Sequence, residues 1–281
     1  MMRTAFVVLT YNRSDALLAV LRGLAPQCRP DDVVVVADDG SREEHVAALR
    51  RDLPRFACPV RHVWHPDIGF TAARARNLGA LHAQADYIVF LDGDCVPTGH
   101  FRRAHLALAQ PGHFVNGSRV LLGERLSRQV LQDGVDLARL PAGGWLRLRW
   151  RGDVNKLTHL VCWTAAPGRV QTAFAWRGIR SCNFGVWYRD LEAVNGFDET
   201  FSGWGHEDAD LVLRLHHHGL HRKNGFLATE VFHLWHREHD RAGEAANRER
   251  VQQRLRQRLV RAQAGLAELG PADATVLDLN K

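Results

Sequence analysis

Residues 86–94 read Asp86-Tyr87-Ile88-Val89-Phe90-Leu91-Asp92-Gly93-Asp94, a run of apolar β-formers that stops in two carboxylates around a glycine. A short apolar stretch bounded by turn residues is the pattern of a strand buried on both faces of a parallel sheet. Two earlier segments repeat it. AFVVL (residues 5–9) runs into Thr10-Tyr11-Asn12-Arg13, and VVVVA (33–37) runs into Asp38-Asp39-Gly40-Ser41. DALLAVLRGLA (15–25), with Ser14 as its expected cap, reads as the helix between them, and Ser41-Arg42-Glu43-Glu44 has the form of a capping box opening the next. PVRHVW (59–64) adds a strand and residues 71–85 a helix. The alternation predicts an α/β fold, a Rossmann-like, mostly parallel sheet flanked by helices. Ligands on such sheets bind beyond the carboxyl ends of the strands, which singles out the three polar loops.

The chain has 281 residues, which fits one such domain carrying an insertion or tail better than two domains. Its 46% hydrophobic and 24% charged residues exclude wholesale disorder, collagen and coiled coil. No apolar run approaches the ~18 residues of a membrane span, and the start, MMRTAFVVLTYNRSDALL, lacks a signal-peptide core. A soluble, cytoplasmic protein is therefore expected. Cys28, Cys58, Cys95, Cys162 and Cys182 are widely spaced without a C-x-x-C, so reduced thiols are expected, neither a disulfide framework nor a cysteine zinc site. The net charge of +6 predicts an anionic partner; nucleic acid, a membrane surface and a phosphorylated substrate are all compatible with it.

The loops narrow that choice. Asp92 and Asp94, two residues apart on a turn, can converge on Mg2+ or Mn2+, which held this way bridges substrate phosphates. A bare D-G turn would carry the same letters; its place at a strand end, after two other polar strand ends, favours the functional reading. One carboxylate of Asp38 and Asp39 can accept a nucleobase N–H while Ser41 caps a helix. Tyr11 and Asn12 offer a stacking face and an amide, and Arg74 and Arg76 open the 71–85 helix where an arginine can offset the charge of a diphosphate.

TYNR (10–13), ADDGS (37–41), GFTAARARNLG (69–79) and FLDGD (90–94), in this order, resemble the nucleotide-sugar half of the family 2 glycosyltransferases with the GT-A fold. SCNFGVWYRDLEAVNGFDETFSGWGHEDADLVLRL (181–215) resembles the acceptor half of that family and the carboxyl-terminal segment of β-galactosyltransferases. The resemblance covers residues 4–122 and 180–236 and implies a GT-A domain over 1–242, comprising a nucleotide-sugar half (1–122), an insertion (123–179) and an acceptor half (180–242). A helical tail occupies 243–281, with its helix expected at 243–269.

Residue by residue, the resemblance implies that Asp39 or Asp38 contacts the base, that Thr10, Tyr11, Asn12, Arg13, Arg74, Arg76 and Gly93 belong to the nucleotide-sugar site, and that Asp92 faces the ribose or sugar. Asp94, with Asp92 and His233, would hold Mn2+ or Mg2+. Trp204 and Asn183 would belong to the acceptor site. The Glu207-Asp208 pair sits at the position of the family's base. Inverting transfer needs one carboxylate to take the acceptor proton, and acids at a helix start are held ionised by its N–H dipoles. Asp208 is assigned as base and Glu207 as the group orienting the acceptor, an assignment that can be reversed. The implied partners are a nucleotide-sugar donor, a UDP-sugar by the family's habit, and a glycan or lipid-linked saccharide; no nucleic acid is expected. A sugar-phosphate nucleotidyltransferase would use a similar acidic pair but not the GWGHED segment, and a basic nucleic-acid or membrane module would leave Asp92, Asp94, Glu207 and Asp208 idle.

Three features stand apart. Of the 16 histidines, eight lie in residues 206–239, and His216, His217, His218 and His221 are expected to pack or face solvent because no H-E-x-x-H accompanies them. Two of Trp145, Trp150, Trp163 and Trp176 are expected in the core of the insertion. WLRLRWRG (145–152) and the Arg-rich tail could contact anionic lipid; alternatively the tail packs Val251, Leu255 and Leu259 on the domain.

Overall fold

The structure is a computed structural model that describes residues 2–201, 203, 205–237 and 244–280. Its first half alternates as the sequence predicts: β1 (Thr4–Thr10), α1 (Ser14–Leu24), β2 (Val33–Asp38), α2 (Glu43–Asp52), β3 (Val60–Trp64), α3 (Ala72–Leu81) and β4 (Tyr87–Asp92). There follow β5 (Cys95–Pro97), α4 (Phe101–Leu108), β6 (His113–Asn116), β7 (Ser118–Leu121), α5 (Glu124–Gln132), α6 (Ala142–Trp150) and β8 (Val170–Gln171). The last third holds β9 (Asn183–Trp187), α7 (Tyr188–Ala193), α8 (Glu207–His217), β10 (His221–Asn224), β11 (Glu230–His233), α9 (Glu244–Gln257) and β12 (Thr275–Asp278).

Among the described residues the main sheet has the order β12-β3-β2-β1-β4-β9-β6-β10-β8. The stretch β3-β2-β1-β4 is parallel, and β9 enters antiparallel between β4 and β6. Because side chains alternate along a strand, each valine-rich run feeds two cores. Phe6, Val8, Val34, Val36, Val89 and Leu91 meet α1 on one face. Ala5, Val7, Val35, Ile88 and Phe90 meet α3 on the other. A Cβ on Gly79 would lie 2.6 Å from Val7 Cγ1 and 2.9 Å from Ala37 Cβ, so the small residues of α3 let that helix lie directly on β1 and β2.

Helix starts depart from the sequence reading. Ser14 is the first residue of α1 and not its cap; its Oγ meets His45 Nδ1 at 3.0 Å and ties α1 to α2. Ser41 forms no capping box either, since α2 begins at Glu43 and the Ser41 side chain is used by the β1 loop.

A second sheet, β5-β11-β7, decides the geometry of the site. β11 runs antiparallel to β5 and parallel to β7, and its register sets His233 opposite Cys95 and Leu121. The Leu234 N–H donates to the Asp94 carbonyl (2.9 Å). The insertion packs beneath this sheet: Trp145 stacks on Phe232 with ring centroids 4.9 Å apart and planes 8° apart, and it meets His159 at 4.1 Å. Trp145 is thus a core tryptophan and Trp176 a half-buried one against Phe174, while Trp150 and Trp163 are exposed.

The tail differs from expectation in two ways. Its helix ends at Gln257 and the chain continues through 3-10 turns into β12, which pairs antiparallel with β3 and covers that edge of the sheet. The helix also docks by a charged seam. Asn247, Val251 and Arg254 are buried, whereas Leu255 is exposed. Arg254 Nη1 lies 2.8 Å from both Asp198 Oδ2 and Asp210 Oδ1, two carboxylates with no solvent exposure, and its guanidinium covers the Phe201 ring at 5.0 Å. Asp210 also takes Arg214 Nε at 2.7 Å. Breaking a buried ion pair from one side leaves an unpaired charge and costs about 3–5 kcal/mol. Arg254→Ala is accordingly expected to lower the urea unfolding free energy by about that amount, whereas Arg256→Ala, on the exposed face of α9, should change it by about 0.5 kcal/mol or less.

Candidate active site

The carboxyl ends of β1, β2 and β4 are adjacent by register, with Thr10 opposite Asp38 and Leu9 opposite Asp92. Thr10 is buried there, and the half-exposed Tyr11 donates its hydroxyl proton to Asp67 Oδ2 (2.9 Å). Asn12, in left-handed backbone at φ 49°, staples the first loop to the second: its N–H donates to Ser41 Oγ and its Oδ1 accepts the Arg42 N–H, both at 2.8 Å. Arg13 pairs only with Asp15 in solvent.

The two acids after β2 are buried and have partners that the sequence reading missed. Asp38 accepts the Ser41 N–H and faces His62 Nε2, each at 2.8 Å. Asp39 accepts from the Thr71 N–H (3.1 Å) and hydroxyl (2.5 Å) and lies 3.1 Å from His65 Nε2. His62 and His65 come from β3 and the loop after it, and the pairing of β3 beside β2 was the available signal for them.

Gly93 sits where a Cβ would come within 2.6 Å of the Leu9 carbonyl, whose oxygen accepts the Gly93 N–H at 2.7 Å. Only a residue without a side chain lets the turn fold against β1. Asp92 and Asp94 consequently diverge. Asp92 Oδ1 accepts from Arg76 Nη2 (2.9 Å), and Arg76 Nη1 reaches Glu207 Oε1 (3.4 Å) across the cleft. Arg76 is 3% exposed and lies over the Phe197 ring at 5.3 Å. Burial opposes its charge, but Asp92 and Glu207 outweigh burial and hold the guanidinium pKa above its usual value.

Glu207 and Asp208 open α8. His206, just before them, adopts φ 72°, a left-handed conformation that costs a non-glycine residue about 1–3 kcal/mol, and packs edge-on against Trp176 (5.6 Å). Burial, and for Glu207 also the Asp208 charge beside it, pushes both carboxyl groups above the ordinary carboxylate range; Arg76 opposes the shift in each. Asp208 Oδ1 also accepts the Ala209 N–H (2.7 Å), and the backbone at Ser181 opposes the upward shift.

Asp94 faces the histidines of β11 and the segment after it. His233 Nε2 lies 3.8 Å and His236 Nε2 3.4 Å from Asp94 Oδ2, with the two rings 5.2 Å apart. Asp94, Cys95 and His233 form the one group of potential ligands found among the described residues. Burial pushes the Cys95 thiol well up, so it stays protonated and unsuited to ligation, while burial pushes His233 down and leaves its imidazole neutral. A carboxylate with one or two neutral imidazoles is a donor set that can hold a divalent cation. Asp92, also expected at the metal, stands outside this group because Arg76 holds it.

Two further expectations come out differently in space. Arg74 is held by Glu199 (3.2 Å) and by Asp273 of the tail (2.6 Å), on the wall of a small cleft of about 150 Å³ shared with Phe70, Thr71 and Glu207. Asn183 is 1% exposed and spends its amide inside the fold, donating to the Ser118 and Thr229 carbonyls and facing His105 Nε2 at 2.9 Å, so it holds strands together and does not face an acceptor. Trp204 lies outside the described residues. His216 is packed against Phe114 and Phe174, and burial pulls its pKa down to about 4, in keeping with a packing role.

Raised carboxyl pKa values carry a sign. Groups whose folded-state pKa exceeds the unfolded one contribute stability that is fully present below the ordinary carboxylate range and lost as pH rises through the raised value. Glu207→Gln removes one such group. Its stability relative to the unsubstituted protein is therefore expected to increase as pH rises across that window, read from thermal unfolding in a buffer series. A difference that is flat or falls with pH would mean that pairing with Arg76 outweighs desolvation.

This geometry can be set beside known proteins. The model described as glycosyl transferase family 2 matches residues 5–162, and one described as the N-terminal domain of galactosyltransferase matches residues 166–238. Validoxylamine A glucosyltransferase of Streptomyces hygroscopicus subsp. limoneus is 31% identical over 223 residues, covering 76% of this chain and 48% of that protein. Chondroitin synthase of Escherichia coli is 25% identical over 259 residues, covering 83% of this chain and 34% of the synthase. The chain thus spans about half the length of these relatives or less. Among solved structures, the mannosyltransferase PcManGT from Pyrobaculum calidifontis, in complex with GDP-Man and Mn2+, superposes with a TM-score of 0.52 at 18% identity over 88% of this chain and 61% of that one. With more than half its length matched by the family model and with the GT-A sheet in place, this chain belongs to glycosyltransferase family 2.

Proposed function

We propose that the protein is a metal-dependent, inverting glycosyltransferase that moves a sugar from a nucleotide-diphosphate donor, a UDP-sugar, to a hydroxyl of a glycan or glycolipid acceptor, in surface polysaccharide or glycoconjugate synthesis. The observation that carries the reading is the division of the acids around Arg76: Asp94 faces His233 and His236 on one side, and Glu207 and Asp208 open α8 on the other. Membership in the family and a relative named for glucosyl transfer support it.

In this reading Asp208 takes the proton of the acceptor hydroxyl as that oxygen bonds to the anomeric carbon and the bond to the diphosphate breaks, its electron pair leaving with the diphosphate. The raised pKa suits a base working near neutrality. Glu207 orients the acceptor, and Arg76 keeps Glu207 and Asp92 at a fixed separation. Asp94 and His233, with His236 close enough to join, would hold Mn2+ or Mg2+, which supplies positive charge to the leaving diphosphate. Tyr11, Asp39 and the loops around them take the nucleotide.

The setting is part of the same proposal. No helix among the described residues is long and apolar enough to cross a membrane. Peripheral contact with anionic lipid at a cytoplasmic membrane face is supported by α6, where Trp150 (87% exposed) and Leu146 stand beside the exposed Arg147, Arg149 and Arg151. The five free thiols fit a reducing cytoplasm.

The test is a hydrolysis screen of nucleotide-sugars with Mn2+, followed by two variants. Asp94→Ala is expected to abolish metal-dependent UDP binding, while Asp208→Asn should retain that binding and slow transfer by about 10²–10⁴-fold, the usual worth of a general base. Equal loss of donor affinity in both would overturn the roles. Pyrophosphate release from UTP and a sugar phosphate would overturn the transferase reading.

A further inference from the structure

Beside the proposed base lies a group of cations that form no salt bridge among the described residues. Arg180 lies within electrostatic reach of Asp208, and its carbonyl accepts from Asn116 Nδ2 (3.4 Å). Arg119, on β7 opposite Val231 of β11, reaches Cys182 Sγ with Nη1 at 4.0 Å. Lys156, from the insertion, donates to Ser118 Oγ at 2.6 Å and stands over the Phe226 ring at 5.4 Å. Lys156 is thus anchored at Ser118 and Arg119 at the neighbouring Cys182, while the Arg180 charge acts on Lys156 and is itself acted on by Arg119 and Asp208. All three are half-buried.

None of them forms a salt bridge among the described residues. The acid nearest Lys156 is Glu230, fully buried, with Oε1 already accepting the Leu227 N–H. Burial, and then Arg119, lowers the pKa of Arg180, although Cys182 and Asp208 oppose the shift; burial and both arginines lower that of Lys156, although Glu230 opposes it. Other buried or half-buried arginines have identified partners: Arg76, Arg102, Arg214 and Arg254 pair with carboxylates, and Arg169 and Arg222 donate to backbone carbonyls. A site that keeps three partly desolvated cations together with no carboxylate in salt-bridge contact among the described residues, and only Asp208 and Glu230 in the surroundings, is poised for an anion that arrives with a ligand.

We propose that Arg119, Arg180 and Lys156 form an anion-binding subsite on the acceptor side, which selects an acceptor sugar carrying a carboxylate or a phosphate. The proposal rests on the transferase reading for the word acceptor. The donor loops at the ends of β1, β2 and β4 lie beside α3, which carries Arg76, whereas Arg119 comes from β7, Lys156 from the insertion and Arg180 from the segment leading into β9.

The full-length protein is titrated, with and without UDP and Mn2+, against two matched pairs: p-nitrophenyl β-glucuronide with p-nitrophenyl β-glucoside, and glucose 6-phosphate with glucose. The anionic member of at least one pair is expected to bind about tenfold more tightly, the scale of one charge-assisted hydrogen bond, and the preferred pair tells carboxylate from phosphate. Arg180→Gln and Arg119→Gln should each erase that preference while UDP affinity stays within about twofold, with unchanged thermal unfolding as the control for folding. Arg180→Lys should keep part of it. Equal binding of charged and neutral sugars overturns the proposal, and so does a parallel loss of UDP affinity in the variants, which would assign the cations to the diphosphate. Absence of UDP binding in the unsubstituted protein would count against the transferase reading alone, because the paired comparison is read without nucleotide as well.

Discussion

The Arg76 guanidinium is the constraint on which the site depends. Asp92, at the end of β4, and Glu207 and Asp208, at the start of α8, are brought together in a place from which water is largely removed. Buried there, Glu207 and Asp208 lose their hydration and meet neighbouring negative charge, and both effects drive these two to take up protons. A single buried cation bridging Asp92 and Glu207 keeps that charge tolerable and joins the end of β4 to the start of α8. Its cost in desolvation is offset by two acids and by the Phe197 ring beneath it.

Strand register supplies the second fixed relation. Asp94 ends the turn after β4, and the return of β11 between β5 and β7 sets His233 opposite Cys95, one residue further along. A two-residue slip along β11 would move the imidazole about 7 Å, well beyond ligand distance. Packing of Trp145 on Phe232 and the Leu234 N–H bond to the Asp94 carbonyl hold that register. The insertion thereby contributes to the proposed metal site without supplying a ligand to it.

The tail contributes at one further remove. Arg254 lies between Asp198 and Asp210, and Asp210 is on α8, three residues after Glu207. Asp273 of the tail also holds Arg74 on α3. Removing the tail would therefore disturb two helices that carry site residues, so the tail is part of the domain's support and not a detachable arm.

The sequence alone determined the α/β class, the order of the first four strands and the three polar loops at their ends, because strand burial and turn chemistry are local and leave periodic traces such as VVVVADDGS and DYIVFLDGD. Motif order was enough to point to the family. Tertiary structure decided which atoms meet. Asp38 and Asp39 look equivalent in sequence, yet one turns to His62 and the other to Thr71 and His65. Arg74 and Arg76 are two residues apart on α3, yet one goes to the tail and the other to the acids, since such positions project about 200° apart around a helix. Asn183 lies inside the acceptor motif and is consumed by the sheet. The buried seam of α9 was hidden because apolar periodicity cannot report an arginine that fits between two carboxylates from distant segments. Such pairings arise from long-range contacts, and their partners leave no spacing in the chain to read.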